Sequence, residues 1–209
     1  MLPRPMGQIA GMTQPVNTHV LSQRGIASNA IAGSTTLLVS DIMQGILNRT
    51  GPGAGFTDTW PTADQIIAAM ENPQVGDEFS LIYRNGVAFA MTFAAGTGIV
   101  SGIGTLGVAA SLTRLYSMTL LSTKRTVIGP VTTTNTTLVL TNVPKATIQQ
   151  VMPGMGVTGT GIGASAVVLG VSEDAQTVTV SVASTATADN IPVTFFPRVR
   201  LDSPGSMTS

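Results

Sequence analysis

Apolar and polar positions alternate with a period of two along most of this chain, which is the pattern of half-buried β-strands. Short predicted strands recur at residues 35–39, 46–49, 78–83, 87–94, 99–106 and 112–121. Arg84-Asn85-Gly86 predicts a hairpin turn between two of them, because Asn-Gly is a strong signal for a two-residue turn. Short strands at regular intervals are typical of a sandwich or jelly roll.

One segment departs from this period and predicts a short helix after Trp60, the only tryptophan. Pro61 suits a first helical turn, and Thr62 with Gln65 three residues later is a capping-box pattern. One face of this helix would then be apolar, since it carries Ile66, Ile67 and Met70. We expect these side chains and Trp60 to form a structural plug that closes one open side of the sandwich.

A second group of strands follows Gly129-Pro130, at residues 131–141, 167–171, 177–182 and 191–196. Glu173-Asp174-Ala175 predicts the turn of a second hairpin. The chain is therefore predicted to be all-β. It would contain a jelly-roll-like β-sandwich with one short helix at 26–128, followed by a small β-domain at 129–197.

Both ends of the chain lack a regular period and are predicted to be extended arms. Residues 1–25 form the N-terminal arm and residues 198–209 a C-terminal tail. The first could be a disordered tail in the isolated chain, or an arm that becomes ordered on a neighbouring subunit. In the second case the candidate contact residues on another subunit are Arg4, Met6, Ile9, Met12 and Val16.

Charge is scarce and balanced, which changes the range of expected partners. Charged residues make up 10%, with ten Lys plus Arg against ten Asp plus Glu, whereas about 25% is usual. Weak charge favours association, so we expect the protein to work in an assembly. Without a basic excess nucleic-acid binding is not expected, and no apolar run approaches the roughly 18 residues of a membrane helix.

The sequence offers few side chains suited to catalysis or to binding a metal or a nucleotide. The chain has one His and no Cys. Asp77 and Glu78 are adjacent at a strand start and would point to opposite faces, and no set of carboxylates converges as a metal site requires. The G-x-G-x-x-G segments at 102–107 and 154–159 lack the following helix of a dinucleotide fingerprint. We therefore expect no catalytic, cofactor-binding or metal-binding residues, and no enzyme.

Two stretches resemble known viral modules. Residues 31–116 contain T-D-T-W-P-T-A-D-Q-I-I-A-A-M, V-G-D-E-F-S-L-I-Y-R-N and F-A-A-G-T-G-I. They resemble a β-module of virion proteins from tailed bacteriophages and other large DNA viruses. Residues 151–195, with G-M-G-V-T-G-T-G-I and V-T-V-S-V-A-S-T-A-T, are similar to a small module repeated in phage head, tail and fibre proteins.

The resemblance implies a virion structural protein, and in particular a capsid decoration (cement) protein on the capsid exterior. It implies a homotrimer whose partners are copies of itself and the major capsid protein, with no catalytic residues to transfer. A vertex, tail or fibre component is an alternative. A carbohydrate-binding module for host attachment is another, and it would need exposed aromatic side chains, for which the candidates are Trp60, Tyr83 and Tyr116.

Overall fold

Fourteen strands and three short helices make up the described part of the chain, residues 25–102, 104 and 106–207 of a computed structural model. The strands are β1 (Gly25–Asn29), β2 (Gly45–Arg49), β3 (Phe56–Thr59), β4 (Glu78–Asn85), β5 (Met91–Ala94), β6 (Ile99–Ser101), β7 (Thr113–Leu120), β8 (Val127–Thr133), β9 (Val139–Leu140), β10 (Gly156–Gly159), β11 (Val168–Ser172), β12 (Thr177–Val180), β13 (Ala188–Phe196) and β14 (Val199–Met207). The helices are α1 (Val39–Met43), α2 (Ala63–Ala69) and α3 (Lys145–Ile148). The candidate arm contacts lie outside the described residues, namely Arg4, Met6, Ile9, Met12 and Val16.

A six-stranded sheet forms the larger layer of the first module, in the order β1-β2-β4-β7-β14-β6. β1, β2 and β4 run parallel to one another, as do β14 and β6, whereas β7 is antiparallel to both of its neighbours. The all-β, sandwich-like fold with few helices is confirmed. Its strands pair in a mixed pattern, which differs from the antiparallel pairing usual in a jelly roll.

A smaller layer covers the inner face of this sheet. β3 and β5 pair in parallel, and single bridges add Thr36 beside β3 and Val108 beside β5. The helices α1 and α2 complete the layer. The larger hydrophobic core lies between the two layers, and its fully buried members include Leu37, Ile42, Leu47, Trp60, Ile66, Leu81 and Tyr116.

The hairpin predicted at Asn85-Gly86 is wrong. β4 continues through Asn85 and pairs with β2 and β7, while β5 pairs in parallel with β3. Neither residue has the positive φ that this turn requires. Asn85 is buried instead, and its Nδ2 donates hydrogen bonds of 2.7, 3.3 and 3.1 Å to the carbonyl oxygens of Phe89, Val108 and Ala109. These bonds hold residues 86–90 as a loop.

Two predicted strands are shorter than expected. Within 35–39 only Thr36 forms a bridge, to Thr59, and Val39 already begins α1. The strand predicted at 99–106 ends at Ser101, since Gly104 has a φ of 94°, which an extended strand does not allow.

The predicted C-terminal tail is a strand over Val199–Met207. This strand, β14, lies between β7 and β6, and it buries Val199 and Leu201 in the larger core. The pairing with β7 shifts register between Asp202 and Gly205, a bulge that accommodates Pro204. The first module is therefore built from two separate stretches of chain, with the second module inserted between β7 and β14.

The second module is a small barrel. Its two three-stranded sheets, β10-β13-β8 and β11-β12-β9, join at both sides through the Thr132–Thr141 and Gly156–Val167 bridges. The predicted hairpin at Glu173–Ala175 is confirmed, because β11 and β12 pair antiparallel on either side of it. A separate core fills this barrel, and its fully buried members include Val131, Leu140, Val143, Met155, Val178, Val193 and Phe195.

Polar contacts fasten the barrel to the first module at the two places where the chain crosses between them. The Leu121 N–H donates to the Arg198 carbonyl over 3.0 Å, and the Arg198 N–H donates to the Ser122 hydroxyl over 2.9 Å. Arg125 donates two hydrogen bonds to the Asp64 carboxylate on α2, at 2.9 and 2.8 Å. Such a forked pair fixes direction as well as distance, so it orients the barrel against α2.

Candidate functional site

The densest group of charged and polar side chains in the described residues is a buried cluster around Arg49, at the end of β2. Arg49 Nε and Nη2 donate to the two oxygens of Asp58 on β3, over 2.7 and 3.1 Å. Tyr83 on β4 donates its hydroxyl hydrogen to Asp58 Oδ2 over 2.9 Å. All three residues are fully buried. The cluster therefore joins the large sheet to the smaller layer across the core.

The remaining guanidinium hydrogens hold the connection that follows β1. Nη1 donates to Asn29 Oδ1 and to the Ile31 carbonyl, over 2.7 and 3.1 Å, and Nη2 donates to the Gly33 carbonyl over 2.6 Å. The guanidinium carbon also lies 5.1 Å from the centre of the Phe56 ring. Each nitrogen of Arg49 is thus bonded inside the protein, so the buried charge is fully compensated.

This cluster is suited to holding the fold together rather than to chemistry on a substrate. Neither Arg49 nor Asp58 exposes any side-chain surface. Burial, followed by the neighbouring Asp58 carboxylate, raises the pKa of Tyr83 far above its ordinary value of 10.0. Tyr83 is therefore held neutral, as a hydrogen-bond donor to Asp58, and does not supply a proton near neutral pH.

The predicted plug lies beside the cluster, in contact with an aromatic group. Trp60 is 1% exposed, and its ring centre is 4.8 Å from that of Phe93 and 5.9 Å from that of Tyr116. Thr62 and Gln65 form the capping box predicted for α2. The apolar face of this helix turns into the core, with Ile66 and Ile67 buried and Met70 partly buried.

The aromatic side chains considered for sugar binding are thus in the interior. Trp60, Tyr83 and Tyr116 are each at most 1% exposed, so none of them can stack on a sugar ring at the surface. Phe89, on the loop held by Asn85, is the exposed aromatic in the described residues. It stands apart from the buried aromatic group.

The glycine-rich segments serve close backbone contacts. A Cβ on Gly104 would lie 2.0 Å from the Ser203 carbonyl oxygen of β14, and a Cβ on Gly154 would lie 2.2 Å from the Leu121 carbonyl oxygen. Both glycines also have positive φ. Glycine at these positions lets neighbouring backbones approach, which explains the motif without a nucleotide.

Among the described residues no group of three or more His, Cys, Asp or Glu side chains could hold a metal ion. Nor does any helix there have the length and apolar character needed to cross a membrane.

The barrel exposes apolar side chains on the β11-β12-β9 sheet and its continuation. We call this set of exposed residues the barrel apolar surface: Leu138, Val139, Leu169, Val171 and Val182, each 37–58% exposed. Val139 pairs with Thr179, whereas Val171 pairs with the buried Val178, so the set is not confined to one face of the sheet. Sequence reasoning missed it, because the run V-V-L-G-V at 167–171 reads as a strand buried on both faces. An apolar group on one sheet of a weakly charged protein is a candidate contact surface.

Comparison with known proteins finds no match among family models, among curated proteins or among solved structures.

Replacing Asp58 tests the structural role of the buried cluster. We expect Asp58→Ala to lower the free energy of unfolding by about 3–5 kcal/mol, because the Arg49 charge would stay buried without its partner. The matched control is Asp64→Ala, which breaks the more exposed pair with Arg125 and should cost about 1 kcal/mol or less. Urea unfolding followed by Trp60 fluorescence measures both values. Equal losses in the two variants would contradict the assignment.

Alkaline pH provides an independent test. The chain has two tyrosines, and burial raises the pKa of both Tyr83 and Tyr116 above 10.0. Above about pH 10 the unfolded chain loses these protons while the folded chain keeps them, so the free energy of unfolding falls by up to about 1.4 kcal/mol per pH unit per tyrosine. We expect phenolate absorbance at 295 nm to rise together with the loss of native Trp60 fluorescence. Phenolate formation in the folded protein near pH 10 would show that the rings are accessible.

Proposed function

We propose that the protein is a virion structural protein, a capsid decoration (cement) protein that binds the capsid exterior as a homotrimer and stabilises the shell. The observation that carries this proposal is the barrel apolar surface, five exposed aliphatic side chains on one sheet of a weakly charged protein. Its partners are the major capsid protein and copies of itself. The resemblance of residues 31–116 and 151–195 to virion modules supports the same function.

The distribution of charge supports a binding role over a catalytic one. The fully buried ionisable pair, Arg49 and Asp58, bonds within the fold. The ion pair between Asp64 and Arg125 fastens the two modules to each other. The described surface also exposes aliphatic side chains to a partner, and burial of aliphatic side chains drives stable protein association.

Cementing requires each copy to contact more than one neighbour. The barrel and the segment 1–25 belong to different parts of the chain, so they can reach different subunits of a shell. Two linked contacts hold a protein far more tightly than either does alone, because the second forms at high effective concentration. A shell under internal pressure would be stabilised by such bridges between its subunits.

The alternatives differ in how well the side chains support them. A vertex, tail or fibre component would use the same barrel apolar surface at another position on the particle. A carbohydrate-binding module is not favoured, since Trp60, Tyr83 and Tyr116 are buried.

Polar substitutions on the barrel test the proposal. We expect the double variant Leu138→Ser and Leu169→Ser to reduce occupancy on expanded capsids at least about tenfold, because each exposed leucine contributes on the order of 1 kcal/mol when buried at a contact. The matched control is Glu173→Ser with Asp174→Ser, two substitutions at the exposed hairpin tip of the same sheet. Occupancy is measured by sedimentation of capsids with bound protein.

Two outcomes would contradict the account. Full occupancy by the leucine variant would show that the barrel apolar surface is not the contact. Unchanged occupancy after deletion of residues 1–24 would remove the N-terminal arm from the mechanism, while the barrel contact would be tested separately by the leucine variant.

A further inference from the structure

The outer face of the six-stranded sheet carries a continuous apolar row. Register pairs Ile26 with Ile46, Ile46 with Ile82, and Ile82 with Leu115. These four residues lie directly opposite one another on β1, β2, β4 and β7, so their side chains project from the same face. With strands about 4.8 Å apart, the row is about 14 Å long. We call it the outer apolar row.

This row faces away from the core. The residue next to each member along its strand points inward and is buried, as Ala27, Leu47, Leu81 and Tyr116 show. Side chains alternate between faces along a strand, so the row lies on the opposite side of the sheet. None of its members belongs to a core cluster or packs against one. Ile26 is 69% exposed, at the free edge of the sheet.

Polar residues limit the row on both sides. The neighbouring register line on one side joins Ser28, Asn48, Arg84 and Thr113, and the line on the other side joins Ser80 to Ser117. When one face of a sheet is exposed to solvent, the residues on that face are usually polar. A single apolar line across four strands, bordered by polar lines, is thus a narrow stripe with the width of one extended segment.

We propose that the outer apolar row binds the N-terminal segment, residues 1–24, of a neighbouring copy of this chain. The inference rests on the proposed function only in the association of copies with one another, which requires no capsid. The segment has the length required, because 24 residues can span up to about 80 Å when extended, several times the length of the row. It carries spaced apolar side chains at Met6, Ile9, Met12 and Val16.

The point where the segment joins the fold favours exchange between copies. The segment ends at Gly25, the first residue of β1, next to Ile26 at the exposed end of the row. The row crosses the strands, so it is roughly perpendicular to β1. A segment from the same copy would have to turn sharply at Gly25 to follow the row. A segment from a neighbour needs no such turn, and head-to-tail exchange of this kind closes into a trimer when successive copies are related by a threefold rotation.

Disulfide trapping tests the contact without any capsid. The natural chain has no cysteine, so each introduced thiol reports one position. We expect an equimolar mixture of a Met12→Cys variant and an Ile82→Cys variant to form, on oxidation, a disulfide that joins the two variants, identified by mass spectrometry of the peptides that it links. The matched control pairs Met12→Cys with Ser172→Cys, an exposed position on the barrel. The row pair should form at least about tenfold more product than this control, and Trp60 fluorescence checks that each variant is folded.

Each other outcome overturns the proposal. Yields equal to the control would mean that the segment does not lie on the row. A disulfide that forms only inside a chain carrying both cysteines would show that the row binds its own segment. Dominant disulfides between two copies of the Ile82→Cys variant would mean that two sheets face each other. Because no capsid is present in this experiment, the result is independent of whether the protein binds capsids.

Discussion

The buried ion pair between Arg49 and Asp58 is the contact on which the first module depends. It joins β2 of the large sheet to β3 of the smaller layer, and the guanidinium also binds the connection after β1. Taking both charges out of water costs several kcal/mol for each, and their mutual bonds, with those to Tyr83 and the backbone carbonyls, offset that cost. The side chains that complete the pair come from three different strands, so the pair is compensated only in the assembled fold.

This constraint also decides which side of the large sheet stays outside. Arg49, Tyr83 and the core residues of β2 and β4 point towards the smaller layer, which leaves the alternate residues, Ile46 and Ile82, on the opposite face. The outer apolar row is therefore on the outside because the buried pair fixes which face of the sheet packs against the smaller layer. The barrel apolar surface has a different origin, because it belongs to the inserted module with its own core. Apolar side chains are thus exposed on both modules.

Local features of the fold could be predicted from the sequence, and distant ones could not. The capping box of α2 and the hairpin at 173–175 depend on residues a few positions apart, so both could be predicted from the sequence. The loop after Asn85 depends on hydrogen bonds to carbonyl oxygens more than twenty residues away. The Asn-Gly dipeptide therefore predicted a hairpin turn that does not form. β14 pairs with β7, which precedes the whole inserted barrel in the chain. Because residues 198–209 lack a regular apolar period, they were predicted to be a tail. Arg49 and Asp58 are nine residues apart on different strands, a spacing with no sequence signature.

We propose that this protein lies on the outside of a virion, where it links capsid subunits. Electron cryomicroscopy of expanded capsids incubated with the purified protein tests it most directly. We expect ordered density for the sandwich and barrel on the outer surface at local threefold positions, with the barrel apolar surface against the capsid. Bare capsids at saturating protein would contradict it, as would density confined to a tail or a vertex.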